Sequence, residues 1–162
     1  MVIVIGNIAY GIFQLSKSIN PYIEFLFSDM KSYDEIQDFY IDNEDQIHNL
    51  VNILNKLAYK KISIYDWIIL QEKTIYADDN EILLDDAFDN VQIVLDFFEK
   101  GVKYIEKNND VIHIVTDSAI DYSRGIAWLE IEKNELSSIH NEDNVYYTKR
   151  LSDNFWIFEE RD

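Results

Sequence analysis

The sequence contains no cysteine, a single proline and only four glycines. Without cysteine the chain has no disulfide bond, no cysteine-ligated zinc and no thiol nucleophile, and this composition fits the reducing cytoplasm. The scarcity of proline and glycine, together with the lack of repeats and low-complexity segments, argues against an interdomain linker. At 162 residues the chain has the length of one ordinary domain, so we expect a single cytoplasmic domain spanning residues 1–162.

Basic residues are scarce as well, with 14 Lys and Arg against 31 Asp and Glu and a net charge of −17. This balance opposes binding to nucleic acid and to anionic membranes, and it favours a cationic protein partner. The segments 32–55 and 74–99 contain acids but no Lys or Arg. Their acidic residues are Asp34, Glu35, Asp38, Asp42, Glu44 and Asp45 in the first segment and Asp78, Asp79, Glu81, Asp85, Asp86, Asp89, Asp96 and Glu99 in the second.

The apolar run at residues 2–15 lacks the basic start and the cleavage site of a signal peptide. It is also shorter than the roughly 20 residues that a membrane span needs. We therefore expect it to remain in the folded domain, with no membrane association. Residues 2–5 and 22–27 are typical of strands, and the segment 8–18 fits either a helix or a strand.

The middle of the chain has helical periodicity. Asn43 with Gln46 predicts a helix start, followed by apolar residues at three- and four-residue spacings up to Ala58. The segment 63–71 fits a short helix or a buried strand. A longer helix is predicted from Asn80 to Lys107, capped by Asp78. Its apolar stripe consists of Leu84, Phe88, Val91, Leu95, Phe98, Val102 and Ile105.

Short β-rich runs follow at residues 111–116, 125–132, 145–149 and 154–160, separated by turn residues. Alternation of polar and apolar residues within them is typical of antiparallel strands with one buried face. The sequence therefore predicts an α+β fold, in which central helices pack on a largely antiparallel sheet that ends in a C-terminal β-meander.

Catalytic and metal-binding motifs are missing. Gly6 and Gly11 have the spacing of a phosphate-binding loop, but Ile12 and Phe13 replace its Lys and Ser/Thr. No calcium loop occurs, and the three histidines His48, His113 and His140 lie in no recognised catalytic context. The D-D-x-x-D spacing of Asp85, Asp86 and Asp89 resembles the magnesium motif of prenyl-transferring enzymes, yet chance explains it in a chain so rich in Asp. We expect no enzyme activity, no cofactor and no resident metal.

The two base-free acidic segments lie beside the aromatic residues Phe39, Tyr40, Tyr76 and Phe88, and they are the candidate partner-binding surface. The predicted contact residues are Asp78, Asp79, Glu81, Asp85, Asp86 and Asp89, with Asp42, Glu44 and Asp45 as a second set. In size, acidity and charge pattern the chain is similar to bacterial toxin-immunity proteins. That resemblance implies a protein that neutralises a basic secreted toxin domain, often a nuclease, by covering its substrate site.

Two other functions fit the same composition. A DNA mimic would use its carboxylates as substitutes for phosphates and block a DNA-binding host protein. A small metal-binding or hydrolytic enzyme would instead gather carboxylates in a concave pocket. The acids alone do not separate these functions, because their abundance makes any one pair uninformative.

Overall fold

The computed structural model of the protein describes residues 30–66, 68–69, 73–119, 122–130 and 144–161. From Lys31 onward they belong to one compact unit, Lys31–Asp162. The strands predicted at 2–5 and 22–27 and the ambiguous segment 8–18 lie outside the described residues, as does His140. The single domain expected for the whole chain therefore stays a prediction.

The described residues contain eight strands and three helices of defined bounds. The strands are β1 (Lys61–Tyr65), β2 (Thr74–Ala77), β3 (Asn80–Leu83), β4 (Tyr104–Asn108), β5 (Val111–Ala119), β6 (Tyr122–Leu129), β7 (Val145–Arg150) and β8 (Phe155–Arg161). The helices are α1 (Tyr33–Lys56), α2 (Leu84–Ala87) and α3 (Gln92–Glu99). One antiparallel sheet results, in the order β3-β2-β1-β4-β5-β6-β8-β7. The α+β class is confirmed, and the four predicted C-terminal strands correspond to β5 through β8.

The main core lies between the helices and one face of the sheet. A row of isoleucines crosses five adjacent strands, because side chains of paired residues in neighbouring strands point to the same face. The row consists of Ile64, Ile105, Ile114, Ile126 and Ile157, all at most 1% exposed. Helix α1 covers this face and packs against β6 and β8. Burial of each isoleucine contributes about 1.5–3 kcal/mol, so the five together contribute roughly 8–15 kcal/mol of hydrophobic stabilisation.

Helix α1 begins earlier than the sequence pattern predicts. Ser32 and Glu35 form a capping box, in which the Ser32 N–H donates to Glu35 Oε2 at 2.7 Å and the Glu35 N–H donates to Ser32 Oγ at 3.3 Å. Asn43 is therefore not the start of α1, although it lies at the kink where two helical segments join, with φ −126° and ψ 15°. Its side-chain amide donates to the Phe39 carbonyl oxygen at 2.8 Å. An Asn side chain that bonds the local backbone can cap a helix or distort one, and the sequence pattern does not distinguish these two structures.

The long helix predicted from Asn80 to Lys107 is also wrong. The segment forms β3, α2, α3 and β4 in succession, and Gly101, with φ 91°, follows the end of α3. The stripe nevertheless identified buried positions, since Leu84, Phe88, Val102 and Ile105 are at most 3% exposed. Periodicity therefore predicted which residues enter the core, although strands and short helices bury them.

The opposite face of the sheet carries a second, smaller apolar cluster: Val115, Ala127, Leu129, Tyr147 and Phe158. Gly125 lies on this face, between Val115 and Phe158 in the paired strands. A Cβ atom at residue 125 would approach the Ile114 carbonyl oxygen to 2.1 Å, closer than any real contact. A bulge follows at once, between Val115 and Asp117 of β5. The close approach of β5 to β6 at this point therefore requires glycine.

Candidate functional site

A two-residue turn joins β2 to β3. Ala77 pairs with Asn80, which leaves Asp78 and Asp79 as the turn residues, with φ values of 45° and 66°. Positive φ at both central residues is the signature of a type I′ turn, whose twist matches that of a hairpin. Asp and Asn tolerate this left-handed backbone better than most residues. Asp78, which the sequence suggested as a helix cap, thus lies in a hairpin turn with Asp79.

The two aspartates of this turn have different surroundings. Asp78 Oδ1 accepts hydrogen bonds from the backbone N–H groups of Lys60 at 3.0 Å and Lys61 at 2.8 Å. The Asp78 N–H in turn donates to the Lys61 carbonyl oxygen at 3.0 Å, so the turn is tied to the start of β1. Asp79 is exposed and makes no such contact within the described part of the chain. Of the two, Asp79 is the one whose carboxylate is available to a partner.

Strand β3 forms one edge of the sheet, and every second residue directs its backbone outward. The Leu84 N–H donates to the Lys73 carbonyl oxygen at 2.8 Å, and Thr74 pairs with Leu83. Because hydrogen-bonded and non-hydrogen-bonded pairs alternate in an antiparallel ladder, Leu83 and Glu81 point their N–H and C=O groups away from β2. Leu83 is 53% exposed. Within the described residues, this edge therefore has unpaired backbone groups beside the acidic side chain of Glu81 and the apolar side chain of Leu83.

Helix α2 continues from this edge. Its first turn carries the exposed Asp85 and Asp86, while Leu84 and Phe88 anchor it in the core. The helix ends at Ala87 and Phe88 is extended, so the exposed Asp89 does not lie one helical turn beyond Asp85. No group of carboxylates and histidines within the described ranges could hold a metal ion. We call six acids the acidic edge. They lie in the hairpin turn, in β3, in α2 and just after α2: Asp78, Asp79, Glu81, Asp85, Asp86 and Asp89.

The second predicted set lies elsewhere on the molecule. Asp42, Glu44 and Asp45 are exposed around the kink of α1 and line a shallow depression of about 340 Å³. Lys100, at the end of α3, donates from Nζ to Asn43 Oδ1 at 2.7 Å and also contacts Gln46 Oε1. Helix α1 packs on β6 and β8, and the sheet order places five strands between β3 and β8. The sheet therefore holds the two sets at different places.

A buried charge cluster at the other end of the sheet was not predicted. Glu159 of β8 is 4% exposed, and its Oε1 accepts from Arg124 Nη2 at 2.6 Å and from the Tyr33 hydroxyl at 2.5 Å. Arg124 also stacks on the Tyr33 ring, 4.6 Å from its centroid. Burial alone would raise the pKa of Glu159, but hydrogen bonds from Tyr122, Tyr33 and Arg124 outweigh it and lower the pKa to about 2.

This cluster holds the start of α1 on the sheet. Arg124 Nη1 donates to the Lys31 carbonyl oxygen at 2.8 Å, and the Lys31 N–H donates to the Asp117 carboxylate. The sequence did contain a signal for it, because Arg124 and Glu159 fall in phase with Ile126 and Ile157 on the helix-covered face. A charged residue in phase with buried ones needs an internal partner.

His113 lies in β5, opposite Glu106 of β4 and Ala127 of β6. Its Nε2 is buried and has no hydrogen-bond partner among the described residues. The ring stacks on Phe158, with centroids 4.1 Å apart and planes 13° apart. Burial lowers the pKa of His113 to about 4, so the imidazole is neutral near pH 7.

His48 lies in a small polar group on α1. Its Nε2 is 3.4 Å from the Tyr40 hydroxyl and 3.9 Å from Glu44 Oε1, and the Tyr40 hydroxyl is 2.8 Å from Ser152 Oγ. In a Ser-His-acid triad the acid orients one ring nitrogen and the serine faces the other. Here the acid and the tyrosine approach the same nitrogen, and Ser152 contacts Tyr40. The geometry is not that of a catalytic triad.

Comparison with known proteins gives no relative: no protein-family model, no curated protein and no solved structure matches the chain. Among the helices that the structure describes, none is long and apolar enough to cross a membrane.

Proposed function

We propose that this chain is an acidic immunity or inhibitor protein that binds a basic toxin domain through the acidic edge, and a nuclease is the toxin class that fits best. The observation that carries the proposal is the state of the carboxylates. Asp79, Glu81, Asp85, Asp86 and Asp89 are exposed, and none forms an ion pair with another described residue. A nuclease presents Lys and Arg to phosphates, so preset carboxylates can occupy that groove.

Aromatic and apolar anchors support this surface. Tyr76 is 40% exposed and pairs with Glu81 across the hairpin, and Leu83 lies two residues further along β3. Of the other aromatic residues expected beside the acids, Tyr40 and Phe88 are each 3% exposed and belong to the core. Affinity at protein interfaces usually comes from a few such anchors, while charge sets the association rate and the choice of partner.

The test uses the protein encoded immediately beside this chain's gene, produced as a catalytically inactivated domain. The triple variant D85K/D86K/D89K should weaken its binding by about 10- to 100-fold, mainly through slower association, and the loss should shrink as salt is raised. Binding is measured by surface plasmon resonance at several salt concentrations.

The matched control D38K/D110K/E130K makes the same charge change at three exposed acids outside the acidic edge. It should keep most of the affinity. Equal losses in both triple variants would mean that only net charge matters and that the acidic edge is not the site. Selective capture of a DNA-binding host protein, with no binding to the neighbouring gene product, would favour the DNA mimic instead.

A further inference from the structure

Among the strands that the structure describes, β3 has a neighbour on one side only, so its outward side is a short length of unpaired sheet. Glu81 and Leu83 each direct one N–H and one C=O away from β2, as the alternation from the Leu84–Lys73 hydrogen bond requires. The Leu83 carbonyl is the N-cap acceptor of α2, so an added strand would form its hydrogen bonds with the Glu81 N–H and C=O and with the Leu83 N–H. Main-chain pairing of this kind is a common mode of peptide recognition at exposed sheet edges.

The side chains of the edge determine which strand fits. Glu81 and Leu83 are two residues apart, so both side chains project from the same face of β3. A residue opposite Glu81 is favoured when it is Lys or Arg, and one opposite Leu83 when it is apolar. Asp79 and Asp85 flank the strand and add negative charge at both of its ends.

We propose that β3 pairs with an extended segment of the partner protein, in which a Lys or Arg and an apolar residue alternate on one face. The identity of that partner as a toxin rests on the proposed function, whereas the edge pairing itself does not. A second copy of this chain is disfavoured at β3, because two acidic edges would repel each other.

The opposite edge of the sheet differs in each of these respects. Strand β7 has a bulge between Tyr147 and Lys149, which interrupts regular pairing, and it carries the bases Lys149 and Arg150. Bulges and lysines are common devices that protect an edge from added strands. Strand β3 has neither within its four residues.

The key variant is Leu83→Pro. Leu83 has φ −69° and ψ 141°, which proline adopts without strain, and its N–H points outward, so the internal ladder loses no bond. The matched control Leu83→Ala removes the side chain but keeps the N–H donor. A difference between the two variants therefore reports on the backbone bond.

The first probe is a synthetic peptide of Lys-Thr-Val-Thr repeats, in which Lys and Val alternate on one face of the strand, with a second peptide carrying Glu in place of Lys. Amide signals of Glu81 and Leu83 should shift in the nitrogen-15 NMR spectrum and become protected from hydrogen exchange with the Lys peptide only. Those of Asn80 and Ile82 should be protected throughout, and L83P should abolish the effect that L83A retains. An equal shift of the Glu81 amide in L83P, or shifts confined to the amides of Asp79, Asp85 and Asp86, would overturn the inference.

The second probe is the inactivated product of the neighbouring gene. L83P should lower its affinity by about tenfold relative to L83A. Tight binding that L83P leaves unchanged would refute the edge pairing and leave the proposed function standing. Pairing of the Lys peptide without binding of the gene product would refute the proposed function alone. A concentration-dependent dimer, lost in L83P and in K149E/R150E, would mean that a second copy occupies β3 through its β7.

Discussion

The two ends of the sheet use charge in opposite ways. At the β6–β8 end, Glu159 is 4% exposed and bonded to Arg124 and Tyr33, so its charge is part of the packed structure. At the β3 end, the carboxylates of the acidic edge other than Asp78 are exposed and form no ion pair within the described ranges. Charges of the first kind stabilise the fold, whereas those of the second kind are available for binding.

The largest difference between the two ends should appear when the cation Arg124 is removed from the Glu159 cluster. Arg124→Met should lower the free energy of unfolding by about 3 kcal/mol, because the buried Glu159 would keep only the largely exposed Arg161, at 3.1 Å, as a cationic partner. Urea denaturation followed by circular dichroism measures the change.

Arg150→Met is the matched control for this substitution. Arg150 bonds to Asp153, whose side chain is 98% exposed, so loss of that surface pair should cost less than about 1 kcal/mol. Similar costs for the two arginines would show that the Glu159 cluster is no more important to the fold than a surface ion pair.

The second-largest effect should be a loss of stability at low pH, where Glu159 becomes protonated. Glu159 has a pKa of about 2 in the folded chain against an ordinary value of 4.5, so its stabilisation is complete above about pH 4.5 and is lost as the pH falls toward 2. The shift corresponds to about 3 kcal/mol. Unfolding free energies between pH 5 and 2 should show this slope in the native chain and lose it in Glu159→Gln.

His113 gives a control in a different pH window. Its pKa of about 4 lies below the ordinary histidine value of 6.5, so the unfolded chain binds the extra proton and stability falls as the pH drops from about 6.5 to 4. His113→Phe should remove only that upper slope. If Glu159→Gln changed the upper window and left the lower one intact, the assignment of the two groups would be wrong.

The smallest expected effects are at the hairpin turn, where the same substitution should have opposite signs. Asp79→Gly should stabilise the chain by a few tenths of a kcal/mol, because glycine is preferred at the second position of a type I′ turn. Asp78→Gly should cost about 1–2 kcal/mol, since the N–H groups of Lys60 and Lys61 lose their acceptor. Thermal unfolding measures both, and a matching sign would mean that Asp78 contributes nothing beyond its backbone conformation.

The fold class was predictable because the strands after residue 110 combine β-branched residues, alternation and turn residues, which are local signals. The absence of the long helix was not predictable, because Leu84, Phe88 and Val102 have helical spacing. In the structure Leu84 is buried from a short helix, and Phe88 and Val102 are buried from loops. What decides between these outcomes is the backbone at Asp78 and Asp79. Two adjacent aspartates are compatible with a cap as well as with a left-handed turn.

The candidate site was predictable as a set of exposed acids but not as a surface. Sequence spacing placed Asp78 among the contact residues, while its bonds to the Lys60 and Lys61 backbone depend on strands that are distant along the chain. The edge position of β3 follows from the strand order, which local patterns do not encode. Arg124 and Glu159 were passed over because their pairing joins β6 to β8.

Gly125 has a consequence for how sequences of this fold can vary. Every amino acid other than glycine has a Cβ atom, and at this position that atom would lie 2.1 Å from the Ile114 carbonyl oxygen. In a saturation library selected for folding, position 125 should retain glycine alone, while the isoleucine row should accept other aliphatic residues of similar volume. One invariant glycine beside interchangeable aliphatic positions is therefore the pattern by which diverged relatives would be found.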